Sequence, residues 1–436
     1  MRVLLAVHHF PPRYTGGAEW RAYRTAAALQ AHGHQVSVIC VERLAEGPAG
    51  GVAWTDDVYQ EVRVRRLSFN LTAAPDRFTW LYNNPWIGEH LQGLMAELHP
   101  DLFHLFSGYL MTGSVLRAAQ RLGIPAVVSL TDFWFLCPRI QMLRTDGRVS
   151  TLPIRAARCA RCLGEEKRRY RWLGRFLPGV MDNYWRLRRT EVRKLAARAA
   201  FLREALNGAA AIISPSQFVQ AFHIQAGIDP GRMIYCRQGH DFPNLTEAGL
   251  KKTPAACLRV GYLGQVAEIK GVHLLFEAVR HLPASAVQAL VYGDTAPYPA
   301  YTRRLSRLAA SDSRLCLAGT YPREALSRIL RTLDVIVVPS LWYENSPNVI
   351  LEAFAHRTPV IASNLGGMAE LVQPGKNGLL FAPGDARDLA RQLQRLLAEP
   401  ALLPTLRTGI EPIRTVADEM DQLEAIYSQV VGGGQA

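Results

Sequence analysis

Two acids eight residues apart, Glu344 and Glu352, frame the stretch of this 436-residue chain richest in groups that can do chemistry. Between them run Asn345, Ser346, Pro347, Asn348 and Val349. Serine followed by proline is a helix-start signature, with Ser346 as N-cap and Pro347 at the first helical position. The apolar run "VIVVPS" just before reads as a buried parallel strand, so the predicted helix begins at a strand's carboxyl end. Its free backbone N–H groups and the positive end of its dipole would bind a diphosphate without any charged side chain. About six helical residues, at roughly 1.5 Å each, put Glu352 some ~9 Å along the axis from the helix start. Two carboxyls that share one anomeric centre, as in a retaining glycosidase, need a separation of only about 5 Å. The spacing favours acids that grip opposite ends of an elongated ligand, and a nucleotide sugar is elongated in that way. The plain alternative is a loop acid and a helix acid with no common task.

Two further groups belong with this stretch. Gly366 and Gly367 follow the strand-like "PVIAS" and open a predicted helix carrying Glu370, a second place where backbone can approach an anion. A Gly-Gly pair alone is more often a turn. Lys270, flanked by Gly264 and Gly271, follows the apolar run "LRVGYLG"; a lysine there can neutralise a departing diphosphate, although exposed lysines mostly solubilise.

The elements that must position these residues alternate. "VLLAV" reads as a strand, Gly16-Gly17 as a loop, Ala18 to Ala31 as an amphipathic helix closed by Gly33, and "HQVSVIC" as the next strand. "DLFHLF", a helix near 114–121, "PAVVSL" and "AAAIISPS" extend that series. After a polar stretch from about Gly239 to Pro254 the alternation restarts with "LRVGYLG", "GVHLLFEAVRHL", "VQALVYGD", "PREALSRILRTL", "DVIVVPS" and "PVIAS". A helix is predicted over Ala386 to Ala398 and another from about Glu411 to Val431. Two consecutive βαβ series predict an α/β protein of two doubly wound, Rossmann-like domains facing across a cleft, with ligands outside the carboxyl ends of the strands. His8 and His9, at the end of the first strand, are expected to line that cleft, and His104 to be buried in its strand.

These motifs, in this order, resemble the large family-4 retaining glycosyltransferases of the GT-B fold (glycosyl transferases group 1). The resemblance runs through "HHFPPRYTGGAEWRAYRTAAALQAHGHQVSV", "SLTDFWFLCPR", "GYLGQVAEIKGVHLLFEAV", "PSLWYENSPNVILEAF" and "GLLFAPGD", nearly the whole chain. It implies transfer of a sugar from a nucleotide-diphosphate sugar to a saccharide or lipid-linked acceptor, by front-face attack in which the leaving phosphate takes the acceptor's proton. Glu344 would contact the donor sugar's hydroxyls, Glu352 the ribose, and Lys270 the diphosphate, while Gly17 would let the first-domain loop approach the phosphates. The candidate catalytic residues are then Glu344, Lys270 and Asp132. The candidate donor-binding residues are Gly17, Gly264, Gln265, Lys270, Asn345, Ser346, Asn348, Val349, Glu352, Gly366, Gly367 and Glu370. Gln265 stands where relatives usually carry arginine, so Lys270, with Arg357 where many relatives have glycine, would carry more of the charge. Thr131 stands where the family often has a histidine before the aspartate, and no base is assigned there. The implied domains are 1–245 (acceptor side, with a basic, cysteine-containing insertion at about 137–203), 246–412 (donor side) and a helix over 413–436 crossing back to the first. No Asp-x-Asp pair lies in a suitable loop, so no cofactor is expected for catalysis.

Composition sets the remaining expectations. The net charge of +13 is concentrated: Arg155 to Arg203 holds 15 Lys/Arg against four acids. Interleaved with Trp172, Phe176 and Trp185, this block over 155–203 suits an anionic membrane surface or a lip for a lipid-linked acceptor; a solvated, packed helical excursion is the alternative. Cys159 and Cys162 form a C-x2-C pair with Cys137 upstream, one thiolate short of a closed structural zinc site, with Ser150 nearby; idle reduced thiols are the other reading. No zinc-finger or basic-helix spacing follows the pair, which argues against a nucleic-acid partner. The opening apolar run is too short for a secretory signal and no run reaches a membrane span, so a cytoplasmic protein, peripheral at the inner face of the membrane, is expected. A sugar-nucleotide epimerase or phosphorylase on the same architecture, a nucleic-acid-binding protein and a catalytically silent relative remain the competing readings.

Overall fold

The computed structural model describes residues 1–242, 245, 250–283 and 287–433. Its contacts divide the chain into two compact units, one of Met1–Arg237 with Ala417–Ala436, the other of Gln238–Val416. The expected divide after residue 245 lies beside residues outside those described, as does Gly434 at the expected end of the last helix.

In the first unit the strands are β1 (Arg2–Val7), β2 (Gln35–Arg43), β3 (Ala53–Tyr59), β4 (Val62–Ser68), β5 (Leu102–Phe106), β6 (Ala126–Ser129), β7 (Ala211–Ser214) and β8 (Met233–Tyr235). They form one sheet in the order β3-β4-β2-β1-β5-β6-β7-β8. Every pairing is parallel except β3 with β4. The central strands are unbroken apolar runs because both faces are covered; Val3 to Val7 are all buried. The β3–β4 hairpin was not expected from the sequence. Its two-residue turn is Gln60-Glu61, both at positive φ (44° and 70°). Such turns usually advertise themselves with Asn-Gly or Asp-Gly. The helix Val416–Gly432 adds the closing element: Arg21 Nη2 meets Glu419 Oε1 at 2.8 Å, and Tyr427 Oη meets His104 Nδ1 at 2.5 Å. His104 also contacts Ser129 Oγ at 2.9 Å, and burial drives its imidazole well below its ordinary pKa, so it is a neutral core residue.

Four helices, Ala156–Gly164, Arg168–Phe176, Pro178–Leu187 and Arg189–Asn207, fill the basic insertion. They have a small core of their own built on Ala160, Met181, Trp185 and Leu195. Trp185 is therefore a packing residue, whereas Trp172 and Phe176 are more than 60% exposed, at 63% and 61%.

The second unit has β9 (Leu258–Leu263), β10 (Val287–Tyr292), β11 (Leu315–Gly319), β12 (Val335–Val338), β13 (Val360–Ser363) and β14 (Gly378–Phe381), all parallel, in the order β11-β10-β9-β12-β13-β14. Side chains alternate between two cores: Val335 and Val337 join the cluster under the helices Val272–Arg280 and Ala386–Ala398, while Ile336 and Val338 join the one under Asn348–Ala355. That period-two division is what a sheet wound on both faces demands. The winding reverses between β9 and β12, the switch point at which an open α/β sheet leaves a crevice.

Candidate functional site

The loops after β9 and β12 flank that switch point, and backbone contacts stitch them together. Leu341 N–H donates to the Ile269 carbonyl at 2.8 Å. Gly271 has φ +68°, and a Cβ there would lie 2.0 Å from the Pro339 carbonyl oxygen, so only glycine allows the approach. The result is that Lys270 Nζ sits 2.6 Å from Glu344 Oε1. The same oxygen accepts from Ser340 Oγ at 2.7 Å and Trp342 Nε1 at 2.9 Å, with the ammonium 5.0 Å from the Trp342 ring centre. A carboxylate held by one cation and two neutral donors is fixed in orientation. All three bonds fall on Oε1, and among the described residues nothing bonds Oε2.

Gly367 continues the construction. Its N–H donates to the Glu344 carbonyl at 2.8 Å, and a Cβ on it would stand 2.0 Å from the Asn345 carbonyl oxygen. Gly366 and Gly367 open the short helix Gly366–Leu371, on which Glu370 is half-buried. Asn345 Oδ1 and Ser346 Oγ are enclosed without a hydrogen-bond partner, as is Ser363 Oγ at the end of β13. Buried polar atoms are seldom left so.

Ser346 is not the helix cap the sequence suggested. The helix is Asn348–Ala355, with Pro347 at the N-cap and no side-chain cap bond, its carbonyl accepting from Ile350 at 3.0 Å. The serine hydroxyl is thereby spare, and Glu352 is the fifth helical residue, closer to the helix start than the expected six or so. Asn348 Oδ1 accepts from Gln238 Nε2, which also reaches the Ser346 carbonyl at 3.4 Å. Val349 packs against the core beneath. Glu352 is half-buried; burial first, and then its negative charge, push the Tyr321 phenol up to about 12. Gly264 donates its N–H to the Tyr292 carbonyl at 3.0 Å, and the exposed Gln265 accepts from Tyr262 Oη at 2.6 Å through its main-chain oxygen.

Arg357 corrects an expectation. Rather than supplementing Lys270, its guanidinium donates to the Ile410 carbonyl. It follows the C-cap His356 at φ +51°, the left-handed position that ends helices and that glycine favours.

In the first unit the carboxyl ends of β1, β5 and β6 gather a second polar cluster. Asp132 Oδ2 accepts from Ser107 Oγ at 2.7 Å and Thr131 Oγ1 at 3.3 Å, and its Oδ1 from Trp134 N–H at 2.8 Å. Desolvation holds its carboxyl above the ordinary range despite these bonds. His8 Nε2 lies 3.3 Å from Glu19 Oε1, and its ring stands edge-on to Tyr109 at 5.6 Å. Burial opposes ionisation of Glu19, but the His8 hydrogen bond and charge outweigh it and lower its pKa. His9 instead stacks on Tyr14 at 3.8 Å, with Nδ1 2.7 Å from the Val41 carbonyl. Gly17 is the exposed first residue of the helix Gly17–Ala31.

Cys137, Cys159, Cys162 and Ser150 line one partly open recess. All three thiols are free, and burial raises Cys137 and lifts Cys159 to about 11. Among the described residues no three His, Cys, Asp or Glu side chains come together as a metal-binding group, so these thiols share a wall without forming a ligand set.

Sequence reasoning missed the Lys270–Glu344 pairing itself, and with it Ser340, Trp342, Gln238 and Ser363. Ser340 and Trp342 flank Glu344 in "PSLWYE" and were within reach of a reading that asked what anchors the acid. Gln238 lies more than a hundred residues from its partner, and nothing local marks it.

Comparison with known proteins places the family and the fold. The family "Glycosyl transferase 4-like domain" matches residues 16–239, just over half the chain, and "Glycosyl transferases group 1" matches 257–399. A 2-deoxystreptamine glucosyltransferase of Streptomyces kanamyceticus is 32% identical over 35% of this chain and 40% of its own length. Matches to it and the next two curated relatives span only 40–45% of those proteins. A glycogen synthase of Mycobacterium tuberculosis is 25% identical over 92% of this chain and 87% of its own. Among solved structures, HepE of Anabaena in complex with UDP superimposes with TM-score 0.67 at 18% identity, covering 98% of this chain and all of that one, at 100%. With two parallel-sheet α/β units matched by both family descriptions, the chain belongs to the glycosyl transferase 4-like, group 1 family and has the GT-B glycosyltransferase fold.

Proposed function

We propose that this chain transfers a sugar from a nucleoside-diphosphate sugar to a saccharide or lipid-linked acceptor, with retention of anomeric configuration. The observation that carries the reading is Glu344, anchored through Oε1 by Lys270, Ser340 and Trp342 with Oε2 left over, beside two enclosed and unpartnered oxygens of the same loop, Asn345 Oδ1 and Ser346 Oγ. A sugar's hydroxyls supply the donors that these oxygens lack. Lys270 and the N–H groups at the start of Asn348–Ala355 would meet the diphosphate, with Gly17, Gly264, Gln265, Gly366, Gly367 and Glu370 contributing backbone or rim contacts. Glu352 would hold the ribose, and Asp132 would serve the acceptor side. UDP bound to HepE makes uridine the first base to try. Thermal shifts against UDP-, GDP-, ADP- and dTDP-sugars test the donor site: one series should raise Tm with concentration, and a flat response to all four would end the proposal.

The reading extends to a membrane. Among the described residues no helix is long and apolar enough to cross one. At the turn between Arg168–Phe176 and Pro178–Leu187, however, Trp172, Phe176, Leu177 and Val180 are 50–63% exposed. The four acids of residues 155–203 are each paired with an arginine (Glu165 and Asp182 with Arg161, Glu166 with Arg139, Glu191 with Arg188), which leaves Arg168, Arg169, Arg171 and Arg175 without a carboxylate partner among the described residues. An apolar tip rimmed by arginine suits the interface of an anionic bilayer. Co-flotation with phosphatidylglycerol vesicles, lost on changing Trp172 and Phe176 to serine, is the expected result.

A further inference from the structure

Behind Tyr109 the first unit has a partly open recess, walled by Phe69, Phe78, Leu110 and Trp134, with Trp80 and Arg198 among its lining. Arg198, from the helix Arg189–Asn207, is only 4% exposed. Its Nη2 donates to the Trp134 carbonyl at 2.5 Å and its guanidinium lies 5.3 Å from that ring's centre. No carboxylate pairs with it among the described residues. The nearest groups able to become anions include Cys137 and Cys159, but burial raises both thiols, Cys159 to about 11, so they are uncharged at neutral pH. A buried charge without a counter-charge is costly, and a guanidinium has five N–H donors, of which one is used. Trp80 adds a second surplus: its indole N–H is enclosed with no acceptor. The recess therefore has donors in excess and apolar, aromatic walls.

We propose that this recess binds an amphiphile, with a phosphate or carboxylate on Arg198 and an apolar body against Phe69, Phe78, Leu110 and Trp134. The inference rests on reading the first unit as the acceptor side and names the acceptor's chemistry. Tyr109 joins the recess to the Asp132 cluster: its N–H donates to Ser107 Oγ at 3.1 Å, and Ser107 in turn bonds Asp132. An acceptor anchored by its anion and apolar chain would present its remaining end near Asp132.

Calorimetric titration of the full chain below the critical micelle concentration tests this with four probes: decyl phosphate, decanoate, decanol and inorganic phosphate. The two anionic amphiphiles should bind at least about tenfold more tightly than decanol or inorganic phosphate, the scale of a charge-assisted hydrogen-bonded pair. Arg198→Met should bring decyl phosphate to the decanol level, and Arg198→Lys should restore part of the difference. Should Arg198→Met fail to fold, Leu44→Trp, which narrows the recess from its half-buried wall, should weaken decyl phosphate and decanol alike. Equal affinity for decyl phosphate and decanol, no binding of decyl phosphate, or no effect of Arg198→Met or Leu44→Trp would overturn the proposal. Nucleotide-sugar thermal shifts separate the two readings. A response to a nucleotide sugar without Arg198-dependent decyl phosphate binding removes the recess and leaves the donor site; the reverse leaves an anion-binding recess and removes the transferase.

Discussion

At the ends of β9 and β12 Glu344 is bound by a permanent cation and two neutral donors, while at the ends of β5 and β6 Asp132 is bound by neutral donors alone. Both acids lie beside the place where their sheet's winding reverses, β9 against β12 in one unit and β1 against β5 in the other. Fold explains the shared location. The difference lies in what the flanking loops supply: Lys270 on one side, and on the other only the neutral donors of Ser107, Thr131 and Trp134. Burial disfavours the charged form of Asp132 and holds its carboxyl above the ordinary range despite its three hydrogen bonds. One cluster thus holds its acid by an ion pair, the other by neutral hydrogen bonds made against a desolvation cost.

The strongest way to break that contrast is Glu344→Gln. Glutamine keeps acceptors for Ser340 and Trp342 but leaves Lys270 without its counter-charge. Transfer should fall by about 10²–10³-fold, the cost of losing a preorganised electrostatic group. Stability should also drop, by less than the about 3–5 kcal/mol of a fully buried broken pair, because the lysine side chain is 23% exposed. Adding Lys270→Met should recover stability without activity, read by Tm and initial rates side by side. Full recovery of rate in the double variant would show that the pair serves folding alone.

Asp132→Asn should cost less in rate, and its mark is in the pH dependence. Because desolvation raises this carboxyl in the folded state, the folded protein holds the proton more tightly than the unfolded chain does. As pH climbs from the ordinary carboxylate range through the raised value, the wild type loses stability that the asparagine variant keeps. The variant should therefore melt higher at neutral pH, and its rate should lack the acidic limb of the wild-type profile. Parallel pH–Tm curves for the two proteins would contradict the assignment.

How much of this was legible in the sequence follows from range. The loop after β12 was readable in outline because strand, loop, proline and helix lie within one continuous stretch, "VIVVPSLWYENSPNVILEAF", although the cap falls at Pro347 and not at Ser346. The hairpin of β3 and β4 was not, since Gln60 and Glu61 take up left-handed conformations without a glycine to announce them. The Lys270–Glu344 pair joins residues 74 apart through backbone contacts that only Gly271 permits. Arg198 has no periodic or motif signal at all; only burial without a paired carboxylate among the described residues distinguishes it from the fourteen other basic residues of its segment. Trp185 and Trp172 look alike in sequence, and packing alone sends one inward and leaves the other exposed.

Arg357→Gly gives the smallest effect and sharpens the contrast most narrowly, by asking whether Lys270 is the donor side's working cation. Arginine at φ +51° occupies a conformation that costs a non-glycine residue about 1 kcal/mol. Its bond to the Ile410 carbonyl returns a similar amount, about 0.5–1.5 kcal/mol. Glycine relieves the first and forfeits the second, so the melting temperature should move by no more than the equivalent of about 1 kcal/mol in either direction. Nucleotide-sugar affinity should stay within about twofold, since the guanidinium is committed to the far end of its helix, past the residues that would meet the diphosphate. A tenfold loss of affinity, about 1.4 kcal/mol, would mean that Arg357 leaves Ile410 when ligand arrives and that two cations, not one, arm the donor loop.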